Sequence, residues 1–126
     1  MVFYSFVKQI SRLHSVYGKI VTFPKKERAY TRWLDGETFG EIARTAGVNE
    51  ATIQIYVIDK IASGVKRTDL HERLLREMDI RDEPFGVVHD LLCRSGITLR
   101  KIRDSTQLTY NQIRTMIALL INGYEL

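Results

Sequence analysis

The chain has 126 residues, 44% of them apolar and 27% charged, with a formal net charge of +4. That length suits one domain of ordinary size or two very small ones sharing a core, and the apolar share excludes a disordered tail. A single cysteine, Cys93, excludes an internal disulfide framework, and no apolar run approaches the roughly 18 residues that a membrane span needs.

The opening MVFYSFVKQI carries charge early and lacks a small-residue cleavage site, so no secretory signal is expected, and cytosol, nucleoid and nucleus stay open. From Phe3 to Tyr17 the apolar residues fall at Phe3, Phe6, Val7, Ile10, Leu13 and Tyr17, a helical stripe ended by Gly18. So short a helix with so much aromatic area must bury it. The plainer expectation is packing across the rest of the domain. The sharper one makes Phe3, Phe6 and Ile10 a partner-binding or dimerisation face. An extended link, Ile20 to Phe23, leads to Pro24, which starts a helix well. Lys25 to Asp35 then reads as a helix with Tyr30, Trp33 and Leu34 inward, closed by Gly36.

The stretch Thr38 to Ile61, TFGEIARTAGVNEATIQIYVIDKI, reads as a short helix, a tight turn and a longer helix, the plan that many DNA-binding domains use. Thr38 and Glu41 form a capping box, Ile42 and Ala43 face inward, and Gly47 turns the backbone. Val48 plugs the turn. Asn49 caps the second helix, whose inward stripe is Ile53, Val57 and Ile61. Glu50, Ala51, Gln54 and Ile58 are then expected on or near the outward surface, where a recognition helix would read base edges.

Beyond Gly64, Thr68 is expected to cap a helix from Asp69 to Met78 with Leu70, Leu74 and Met78 inward. DIRDEP reads as a charged turn, and Pro84 as the opening of a helix through Phe85, Val88, Leu91 and Leu92. Cys93, beside Leu91 and Leu92, is expected to be a buried thiol. The last third repeats the organising plan. Thr98 starts a brief helix with Leu99 and Ile102, Leu108 takes the place of Val48, and Thr109 with Gln112 makes a second capping box. Ile113, Met116, Ile117 and Leu120 are inward. The fold class expected is all-α, with about seven helices and tandem three-helix units in one compact body. The expected divisions are an N-terminal helix and link (1–23), a first helix-turn-helix unit (24–64), a connecting helix (65–83) and a second unit (84–126).

Charge is unevenly spread. Residues 1–32 hold seven Lys/Arg against the single acid Glu27, whereas 35–61 has a net charge of −3 and 94–114 a net charge of +4. Phosphate contacts supply most non-specific affinity for nucleic acid, and acids near the groove oppose them. Charge therefore favours the second helix pair for nucleic-acid contact, through Arg100, Lys101, Arg103 and Arg114, flanked by Lys25, Lys26 and Arg28. Asn49, Ala51 and Gln54 are the candidates if the first pair reads bases. The rival reading makes the bases a solvated face.

Chemistry for catalysis is missing from the pattern. His14, His71 and His89 are far apart, and the His89–Cys93 pair lacks a third ligand. The pair reads as a half-buried ring above a core thiol. No phosphate loop, nucleophile elbow or His-Glu-x-x-His occurs, so neither an enzyme nor a cofactor or metal site is expected.

The run YTRWLDGETFGEIARTAGVNEATIQIYVIDKIASG, followed by VKRTDLHERLL, resembles the helix-turn-helix domain at the C-terminus of many RecQ-type DNA helicases. The matching features are Leu34 and Gly36 before the first helix, Ile42-Ala43, Thr52-Ile53, Ile61 and Gly64. The later SGITLRKIRDSTQLTYNQIRTMIALL is similar to the closing part of that domain, with Tyr110, Ile113 and Arg114 in its Tyr-x-x-Ile-Arg helix. The likeness spans about 27–121, with Tyr56 where the family usually has His or a similar polar residue. It implies nucleic-acid binding or targeting to a complex without ATP hydrolysis, since the helicase motor, its phosphate loop and its zinc cysteines are absent. The function expected is thus non-enzymatic DNA binding, the alternative being a protein-docking module of a DNA-processing or transcription complex. The partners expected are DNA, a helicase, polymerase or other protein on the docking reading, a second copy through the 3–17 helix, and no membrane.

Overall fold

The computed structural model describes residues 2–125, with side chains from Ile10 onward, so Phe3 and Phe6 as partner-binding side chains lie outside the described residues. Eight α-helices and no strand occur among the described residues. They are α1 (Val2–Tyr17), α2 (Pro24–Leu34), α3 (Phe39–Ala46), α4 (Glu50–Ala62), α5 (Thr68–Glu77), α6 (Asp82–Leu92), α7 (Leu99–Thr106) and α8 (Tyr110–Ile121). The all-α class follows from the apolar stripes.

Side-chain caps start four of these helices. Asn49 Oδ1 accepts from the Thr52 N–H at 2.8 Å, and Thr98 Oγ1 from the Lys101 N–H at 3.2 Å. At Thr109 the capping box is complete: its hydroxyl accepts from the Gln112 N–H, and Gln112 Oε1 accepts from the Thr109 N–H. At Thr38 the first half of the exchange is made, from the Glu41 N–H at 3.1 Å. Two expected starts move. Thr68 is the first residue of α5 and does not cap it, while α6 begins at Asp82 and holds Pro84 in its first turn, where a missing N–H breaks no helical bond.

α4 and α8 form the centre. α4 packs most extensively on α8 and α2, and α8 also carries α1 and α7. Ile53, Val57 and Ile61 are buried as their spacing requires, as are Ile113, Met116 and Ile117, and Leu70, Leu74 and Met78 along α5. Three expectations are corrected. Ile58, expected outward, is fully buried, because α8 covers the side of α4 away from α2 and α3 and turns a two-sided helix into a core one. Leu34, expected inward, is 40% exposed: Trp33 fills the inward position, and the next residue on a helix points about 100° away. Cys93 is exposed, since α6 ends at Leu92 and the thiol lies past the stripe it was assigned to.

Two polar clusters tie the helices together. Lys26 on α2 is 6% exposed and donates through Nζ to Asp59 Oδ2 on α4 at 2.6 Å and to the Val21 carbonyl at 2.5 Å. The Tyr17 hydroxyl on α1 donates to the other Asp59 oxygen, and burial, with that bond, holds the phenol well above its ordinary pKa. Farther along, Arg73 on α5 lies over the Trp33 ring at 4.0 Å and donates to the Trp33 carbonyl, while the Trp33 Nε1–H donates to Glu77.

Candidate nucleic-acid interface

The side chains expected at nucleic acid, as phosphate or base contacts, fall into three groups. Arg100 and Arg114 line one open groove of about 460 Å³, together with Ser15, Val16, Ile97, Thr98, Leu99 and Tyr110. Lys101 lies in an adjoining depression of about 390 Å³ with Arg94, Gly96, Asp104 and again Ile97. Its Nζ donates to the Gly96 carbonyl at 3.0 Å, which fixes the ammonium at the edge of that depression.

The helical period explains the placement. Tyr110 and Arg114 are four apart on α8 and share a face. That face looks toward the last turns of α1 and the first turn of α7. Arg103, also on α7, spans to Tyr110: its guanidinium sits over the ring at 4.7 Å and is ion-paired with its neighbour Asp104 at 3.2 Å. Arg12 on α1 donates to the Cys93 carbonyl at 2.9 Å, next in sequence to Arg94 of the adjoining depression. Arg94, Ser15 and Val16 are not in the expected site, though Ser15 and Val16 line the groove and Arg94 the adjoining depression. The charge count contained Arg12 and Arg94, but nothing in the sequence told which turn of α1 meets α7 and α8.

The second group is α2. Lys25 and Arg28 are exposed there, on a helix that packs on α3 and α4. Lys26 is a correction. It was expected to face phosphates, and it is instead buried in the ion pair with Asp59. The pairing also takes Asp59, one of the five acids behind the net charge of −3 over 35–61, off the surface.

The third group is the first turn of α4. Asn49 and Ala51 are exposed, but the Asn49 side-chain oxygen is occupied by the Thr52 N–H and hydroxyl. Gln54, expected on the outward surface, is half-buried, and its Oε1 accepts from Asn111 Nδ2 of α8 at 3.0 Å. The cause is the one that buries Ile58: α8 lies across this face.

No family model, curated protein or solved structure matches this chain. Among the described residues no three His, Cys, Asp or Glu side chains gather as a metal site, and no helix is long and apolar enough to cross a membrane. His71 is buried, its Nε2 bonded with the Val65 carbonyl at 2.7 Å, while His89 stands half-exposed beside Asp90.

Proposed function

We propose that the protein binds nucleic acid through the phosphate backbone, using the basic groove between α1, α7 and α8, and that it does so without catalysis. The observation that carries this reading is the convergence of Arg100 and Arg114 on one groove, with Lys101 and Arg94 in the adjoining depression that shares its Ile97 wall. Cations brought together from a loop and two helices concentrate positive potential, and such a field attracts a polyanion. Exposed Lys25 and Arg28 add to the overall positive charge from another part of the surface.

The arrangement is also consistent with two helix-turn-helix units of common plan. In each, an eight-residue helix capped by Thr ends in a left-handed residue, Gly47 or Gln107, before a polar cap opens the longer helix. The resemblance to the RecQ-type domain rests on residues, among them Ile42-Ala43, Thr52-Ile53, Tyr110, Ile113 and Arg114, in their order along the chain. The docking-module reading is favoured by one feature, the burial of Ile58 and the tying of half-buried Gln54 to α8, which leaves the first unit little free reading face.

The deciding experiment is a salt titration of DNA binding by the full chain against an Arg100→Gln/Lys101→Gln/Arg114→Gln variant. Each lost phosphate contact flattens the log–log salt slope by about one. A variant that stays folded and binds as the parent does, or a parent that binds no DNA, overturns the proposal in favour of docking.

A further inference from the structure

We infer that the groove between α1 and the α7–α8 pair seats an unstacked base of single-stranded nucleic acid, with Tyr110 as the stacking platform. This inference rests on the nucleic-acid reading above and adds the form of the ligand.

The first observation concerns what the fold leaves exposed. Reading a duplex through the major groove requires a helix whose outer face stands clear of the body. Every residue of α8 is buried or half-buried, and on α4 only Glu50 and Ala51 are exposed. Neither longer helix presents the length of face that lies along a groove of duplex DNA.

The second is the make-up of the groove itself. A duplex backbone presents phosphates and needs cations on an open surface. A base out of its stack needs more: a ring to lie on, an apolar recess and cations for the flanking phosphates. Here Val16, Ile97 and Leu99 give the apolar walls, Tyr110 the ring, and Arg100 and Arg114 the cations. At about 460 Å³ the groove falls within the range of about 300–1,000 Å³ typical of small-ligand sites.

The third is that the ring is held in place. Tyr110 opens α8 directly after the complete Thr109 capping box, and the Arg103 guanidinium lies over it at 4.7 Å. A ring on an anchored backbone with a cation over one face loses less freedom when a base stacks on the other, and the cation adds its own attraction.

The test compares the full chain, Tyr110→Leu, Tyr110→Phe and Arg100→Gln/Arg114→Gln on a thymidine oligonucleotide and on a hairpin duplex at one salt concentration. The parent is expected to prefer the single strand. Tyr110→Leu is expected to weaken single-strand binding about tenfold and leave the duplex unchanged, while Tyr110→Phe binds as the parent does. The double arginine variant is expected to weaken both forms. A single strand carrying 2-aminopurine gives an independent readout on the unaltered protein, with its fluorescence quenched on stacking, so an unfolded Tyr110→Leu protein does not stop the test. Equal or tighter duplex binding, a silent Tyr110→Leu substitution in a folded protein, or unquenched 2-aminopurine overturns the inference. If the arginine variant still weakens binding in any of those cases, the phosphate reading stands without it. Binding to neither form overturns both.

Discussion

Asn111 on α8 and Gln54 on α4 are hydrogen-bonded side chain to side chain at 3.0 Å, and the same Asn111 amide donates to the Ala51 carbonyl at 3.0 Å. The N-terminal ends of α4 and α8 are thus joined at one point. Gln54 therefore works as a structural residue. Asn111→Ala is expected to lower stability by about 1–2 kcal/mol, the usual effect of losing a half-buried amide and leaving its acceptors with fewer donors. Gln54→Ala is expected to move the urea midpoint in the same direction by less, and to leave DNA affinity as it was. A Gln54→Ala protein with parental stability and altered sequence preference would return Gln54 to the role of a base reader.

The Lys26–Asp59–Tyr17 cluster makes a sharper prediction. Lys26→Met leaves the Asp59 carboxylate buried with the Tyr17 hydroxyl as its remaining side-chain partner, and breaking a buried pair from one side costs about 3–5 kcal/mol. Replacing all three together, Tyr17→Phe, Lys26→Met and Asp59→Leu, removes the charges and their donors at once. That protein is expected to recover most of the lost stability. If Lys26→Met melts like the parent and loses DNA affinity instead, the lysine is on the surface and the burial of the pair is wrong.

The two helix pairs share a turn geometry but not the residue that adopts it. Gly47 and Gln107 end α3 and α7 in the same left-handed conformation, with φ of 71° and 65°. A side chain there carries a penalty of about 1–2 kcal/mol that glycine avoids, partly offset by the freedom glycine gains in the unfolded chain. Gln107→Gly is therefore expected to raise stability by about 0.5–1 kcal/mol, and Gly47→Gln to lower it by a similar amount. Denaturant midpoints of opposite sign for the two substitutions would bear this out; equal signs would refute it.

Much of this architecture was legible in the residues. The stripe Ile53, Val57, Ile61, the caps at Asn49 and Thr109, and the turn at Gly47 are local signals, and each fixes a helix face or boundary by itself. Ile58, Gln54 and Lys26 were misplaced for one shared reason. Their environment is set by a helix distant in sequence, α8 for the first two and α4 for the third, and periodicity along one helix cannot reveal what covers its other side. Asp59 gives the clearest case. An isolated acid within an apolar helix reads as a surface charge, and only the approach of Lys26 and Tyr17 from two other helices makes its burial affordable. The groove has the same character. Arg100 and Arg114 were legible as charges, whereas the contribution of Ser15 and Val16 depends on how α1 lies across α8.

The three arginines grouped on charge in the second helix pair are not equivalent, and their surroundings rank them. Arg103 is half-buried, ion-paired with Asp104 and stacked on Tyr110, so its charge already has two partners. Arg100 is exposed at the first turn of α7, where the helix dipole adds to its positive field, and Arg114 faces the same groove from α8. Arg100→Gln and Arg114→Gln are each expected to flatten the salt dependence of DNA binding by about one in log–log slope. Arg103→Gln is expected to leave that slope nearly unchanged, because little counterion is released from a guanidinium already neighboured by a carboxylate. Its effect should appear instead at Tyr110, as weaker quenching of a stacked base in single-stranded DNA. Asp104→Asn supplies the counter-test: freeing Arg103 from its acid should steepen the slope and tighten binding to both single strands and duplex. If Arg103→Gln flattens the slope as much as Arg100→Gln does, Asp104 does not screen it, and the cationic surface extends along α7 beyond the groove.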